Sequence, residues 1–99
     1  MTSKLKTNQI QQAITAHQEG KLKEAEILYR EVLKTNPSHI DANHYLAILL
    51  LTLGRLDEAE ISFKKLLELK PDTDFYEHLA NTQIQLKKFE EAEINYRKV

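Results

Sequence analysis

The sequence predicts an all-α fold of about three stacked helix-turn-helix units, the third cut short. Three observations predict it. Ala, Leu, Glu, Lys, Gln and Ile dominate, and two glycines and two prolines are too few for the turns of a sandwich or barrel. A pattern recurs every 34 residues: Gly20 to Gly54, Ala25 to Ala59 and Pro37 to Pro71. The run His44–Leu53 is apolar on nearly every side, so a helix built there needs cover from several neighbours.

Taken in order, the pattern gives helices over about 7–19, 22–35, 40–53, 56–70, 73–86 and 89–99. Gly20 closes the first and Gly54 the third, where a left-handed residue is common and glycine costs least. Lys87 holds the matching place after the fifth helix, so it should carry that strain itself. Pro37 and Pro71 end the second and fourth helices, because the residue before proline is pushed out of helical geometry. The string Glu-Ala-Glu-Ile opens the second, fourth and sixth helices, centred on Ala25, Ala59 and Ala92. Each alanine is small where helices cross closely, and Tyr29, Phe63 and Tyr96 follow it by one turn to fill the space between helices. Leu46, Leu49, Leu50 and Leu53 share the packing side of the third helix. From Ala59 to Ala92 the period is 33, one residue being lost after Pro71.

Several function classes are set aside by the residues present. There is no cysteine, Gly-rich phosphate loop or Gly-x-Ser-x-Gly elbow. The acids at Glu24/Glu26, Asp57/Glu58/Glu60 and Glu90/Glu91/Glu93 fall in early helical turns, where negative charge suits the helix dipole, and read as solvated faces. The expectation is therefore a non-enzyme with no cofactor. His17, His39, His44 and His78 lack the spacing that puts two ligands on one helical face, so no metal is expected, although His44 and His78 could meet across neighbouring helices. A formal net charge of −1, with both signs interspersed, argues against nucleic-acid or anionic-membrane partners. The apolar run is far shorter than a membrane span, and the N-terminus lacks a secretory core, so the cytoplasm is the expected location.

These positions resemble the tetratricopeptide repeat family over nearly the whole chain, with units at about 6–39, 40–72 and 73–99 in one domain, 1–99. The middle unit matches best, at Leu46, Ala47, Leu50, Gly54, Ala59, Phe63, Leu66 and Pro71; Gln12 and Lys87 depart from the pattern. The resemblance implies a right-handed α-α superhelix, with the first helix of each unit lining a concave groove that touches ligand peptides. On helical wheels the groove set is Thr7, Ile10, Ile14 and His17; Asp41, His44, Ile48, Leu51 and Thr52; and Glu77, Asn81 and Ile84. An apolar strip edged by polar groups commonly marks an interaction site; the alternative is that neighbouring helices cover it.

The expected function is a noncatalytic module that binds a protein or peptide segment in this groove. The basic set that one family branch uses to clamp chaperone tails is missing, so a terminal carboxylate is a poor ligand. Two alternatives stand beside this reading. One is a homo-oligomer formed through the open ends of the stack. The other is a recognition arm of a larger enzyme, since Tyr29–Leu33, Pro37–Ala42 and His44–Ala47 resemble the helical N-terminal regions of bacterial glycosyltransferases and sulfotransferases.

Overall fold

A computed structural model describes the backbone of residues 2–99 and side-chain burial from residue 9 onward. Six helices follow in order: α1 Thr2–Gln18, α2 Leu22–Thr35, α3 Ile40–Thr52, α4 Leu56–Leu69, α5 Thr73–Gln85 and α6 Phe89–Tyr96. Each odd helix packs on the next even one as a hairpin, and α2 and α4 carry the packing on to α3 and α5. The stack is elongated, 47 × 25 × 18 Å. The five later helices start where expected. Helix α1 begins about five residues early, since no proline or glycine precedes it.

The turns follow the local chemistry. Gly20, Gly54 and Lys87 all adopt left-handed backbone, with φ of 79°, 74° and 64°. Each closes a Schellman motif. Lys21, Arg55 and Lys88 donate their N–H to Ala16, Leu50 and Gln83 carbonyls at 2.8, 2.9 and 2.8 Å, capping orphan carbonyls of the ending helix. Asn36 and Lys70, each before a proline, are extended. Helix α3 is capped by His39, whose Nδ1 accepts the Ala42 N–H at 3.0 Å. Asp72 caps α5 through the Asp74 N–H at 2.8 Å. Buried Asn43 donates to the Pro37 and His39 carbonyls, tying the preceding loop to α3.

The core runs along the stack through Ala13, Ala25, Tyr29, Leu46, Leu49, Leu50, Ala59, Phe63, Leu66 and Leu79. Two expected core positions differ. Leu53, the C-cap of α3, is 36% exposed. Tyr96 is 40% exposed, whereas Tyr29 and Phe63 are fully buried. The latter two are covered by α3 and α5, and among the described residues no helix lies beyond α6.

The acidic clusters also differ from expectation. In Glu-Ala-Glu-Ile the isoleucine faces solvent (Ile27, Ile61 and Ile94 are all exposed), and the second glutamate faces the seam between units. Arg55, just after the second turn, reaches back to Glu26 at 2.7 Å, which Arg30 also holds. Lys88, at the matching place after the third turn, reaches Glu60 at 2.8 Å. Glu60 is buried and also accepts from buried Gln83, which accepts in turn from Asn95 at 2.7 Å. The Arg55 hydrogen bond holds the Glu26 carboxyl below the usual carboxylate range. Burial pushes Glu60 up, but Lys88, Gln83 and Lys64 together outweigh it and leave it lowered. Among the described residues Glu93, the third in register, pairs with Arg97 at the C-cap of α6, in solvent.

The two ends of the stack are unlike. The outward side of α1 carries exposed Gln11, Gln12 and Thr15, where α3 has Tyr45, Leu46 and Leu49. At the other end Tyr96 and Val99 are exposed, where α4 buries Phe63 and Leu66.

Candidate functional site

Ile10, Ile14 and His17 on α1, His44, Ile48 and Leu51 on α3, and Asn81 and Ile84 on α5 occupy matching turns of the first helix of each unit. Ile10, Ile14, Ile48 and Leu51 are half-buried, with one side against the core and the other open. That is intermediate between a free apolar strip and a covered one. Ile84 is 41% exposed. Asp41, Thr52, Glu77 and Asn81 are exposed, and none of these positions is Lys or Arg. Ile10 and Asp41 line one hollow of about 370 Å³ with His39 and Val32. The Thr7 side chain lies outside the described residues.

Several of these groups are engaged within the chain. The Tyr29 hydroxyl sits 3.0 Å from His17 Nδ1. Burial pushes the Tyr29 phenol up to about 12, with Tyr45 adding to it, and lowers His17 below its ordinary value. Tyr96 donates its hydroxyl to Asn81 Oδ1. Thr52 Oγ1 donates back to the Ile48 carbonyl at 3.1 Å, the usual behaviour of a helical threonine. His44 lies 5.0 Å from Phe75 and 6.0 Å from His78, between ring centres. The approach of His44 and His78 foreseen from sequence does occur. His44 Nε2 is buried and has no hydrogen-bond partner among the described residues. Burial and then His78 lower its pKa, against opposing pulls from Asp41, Asp72 and Asp74.

The sequence reading missed the row of rings behind the groove and the Glu26 and Glu60 seams. A signal for the seams was present: Arg55 and Lys88 both directly follow a left-handed turn residue. Among the described residues no three His, Cys, Asp or Glu side chains gather as a metal cluster would, and no helix is long and apolar enough to cross a membrane.

The comparisons with known proteins agree with this architecture. A family model for the tetratricopeptide repeat matches residues 16–77, and a second for the same repeat matches 73–99. The chain belongs to the tetratricopeptide repeat family, and is a protein-interaction module of a class that is typically noncatalytic. Among solved structures, MamA of AMB-1 superposes with a TM-score of 0.82 at 32% identity, over 87% of this chain and 48% of MamA. MamA of MSR-1 gives 0.80 at 32% identity, over 87% of this chain and 50% of that one. The chain thus spans about half the length of the MamA chains it matches. The first repeat domain of Spaghetti (RPAP3), solved with the HSP90 peptide SRMEEVD bound, superposes at 0.86 over 94% of this chain and 75% of its own. Its 20% identity shows the shared fold alone. These matches make the six helices a right-handed α-α superhelix of the tetratricopeptide type. No curated protein sequence matches the chain.

Proposed function

We propose that the chain binds a peptide or helical segment of a protein partner along the strip of Ile10, Ile14, Ile48, Leu51 and Ile84. One observation carries this reading: the five residues stand in register on the first helices, none fully buried. A strip held on rigid helices lets apolar anchors of a ligand dock with little ordering cost to the receptor. The polar edge is acidic, with exposed Asp41, Asp74 and Glu77, so the favoured ligand pairs apolar anchors with flanking Lys or Arg. A terminal carboxylate finds no cation here. The test is crosslinking of the chain to its partners, comparing wild type with Ile48→Glu plus Ile84→Glu. Partner yield should fall at least ten-fold while circular dichroism stays helical; a folded variant with undiminished yield ends the proposal.

A second reading has its own observation. Tyr96 and Val99 are exposed where Phe63 and Leu66 are buried, and Glu93 lacks the cation that Glu26 and Glu60 receive from the following unit. This end face suits a helix with apolar residues and one Lys or Arg, including one from a second copy. Sedimentation showing only monomer at millimolar concentration rules out the second copy.

A further inference from the structure

All four histidines contribute to how the helices are joined. Three belong to one continuous row of rings across the stack. His17 of α1 meets Tyr29 of α2 at 5.9 Å, and Tyr29 stacks on Tyr45 of α3 at 6.1 Å. Tyr45 lies beside His44 at 5.7 Å, His44 against His78 of α5 at 6.0 Å, and His78 on Phe63 of α4 at 5.5 Å. Such centroid spacings are those of favourable ring pairs. The row therefore crosses both seams, α2 to α3 and α3 to α5. The fourth, His39, caps α3 with Nδ1 as acceptor, a role that needs that nitrogen bare.

We propose that His17 and His44 make the seams between repeats acid-releasable: neutral, they lock the units together, and on taking up protons they loosen the stack. The consequences are local. A proton on His17 Nδ1 ends its ability to accept from the Tyr29 hydroxyl. Charge on His44 sets a cation within a cluster of rings, beside Phe75 and His78.

Charged groups near His44 limit the effect without cancelling it. Asp41 of its own helix, and Asp72 and Asp74 at the head of α5, all favour the charged form, while burial and His78 oppose it and prevail. Among the described residues Tyr29 alone is in hydrogen-bond reach of His17, and burial there acts in the same direction. Both groups bind protons less readily folded than unfolded. Stability is therefore whole above about pH 6.5 and is lost as pH falls below it. Glu26 and Glu60 act in a lower window, below the ordinary carboxylate value, and do not mask this.

Magnitude makes the test sharp. Between pH 7.5 and 5.5, one histidine kept neutral in the fold raises the unfolding constant by about 10-fold at most, and two by about 100-fold. The experiment is urea unfolding of the full chain, followed by circular dichroism, from pH 7.5 to 5.5. We expect a rise above the one-histidine limit, and a shallower rise in His44→Phe. Proton NMR of the wild-type imidazoles stands beside it, so the result does not hang on variants that fold poorly. A rise of about 10-fold or less overturns the proposal, as does His44 titrating at or above about 6.5, its ordinary value.

Discussion

Lys87 carries the most exposed piece of backbone strain in the chain. It adopts φ of 64°, as the two glycines do at the same place, and it completes the same pair of capping hydrogen bonds. A Cβ at Gly20 or Gly54 would meet nothing within 4 Å, so the cost of a side chain at this position is conformational, not steric. Lys87→Gly should therefore raise stability by up to about 1 kcal/mol, and Gly54→Ala should lower it by about the same. Urea midpoints at pH 7.5 measure both, and no change in Lys87→Gly would mean the strain is relieved elsewhere. This position was legible in the sequence because the repeat aligned Lys87 with two glycines. The exposure of Tyr96 was legible only from the repeat count, since its identity matches Tyr29 and only the missing neighbour differs.

Each seam between helices joins a carboxylate to a cation from the next unit. The two internal seams differ in depth. Glu60 and Gln83 are buried, so Glu60→Ala leaves the Gln83 amide without its acceptor and should cost about 1–3 kcal/mol. Glu93→Ala removes an exposed pair with Arg97 and should cost about 0.5 kcal/mol or less. The aromatic series makes the same contrast. Phe63→Ala, at a fully buried site, should cost about 3–5 kcal/mol, enough to unfold a small domain. Tyr96→Ala should leave the thermal midpoint within a few degrees, and equal losses at both sites would contradict the uncovered α6 face. Helix limits, turns and alanine crossings could be read from period and residue type. The seam pairs could not, because partners 28 and 29 residues apart were each credited to their own helix. Half-burial of Ile48 and Leu51 was equally out of reach, since it depends on how tightly successive units wind.

Along its full length the molecule holds together mainly through neighbours, as stacked repeats do. Its acid response should accordingly have two stages. Neutral His17 and His44 withdraw support below about pH 6.5. Glu26 and Glu60, whose folded values are lowered, contribute above the ordinary carboxylate range and withdraw support as pH falls through their folded values. A melting curve recorded at steps from pH 7.5 to 3 should show two declines, and a flat profile down to pH 5 would remove the first. Across the described residues the two faces of the stack are unlike: the Gln11, Gln12 and Thr15 face offers little apolar surface to a Tyr96 face. Copies meeting through Tyr96 and Val99, as the second reading proposes, would therefore pair like face on like face, about a two-fold axis.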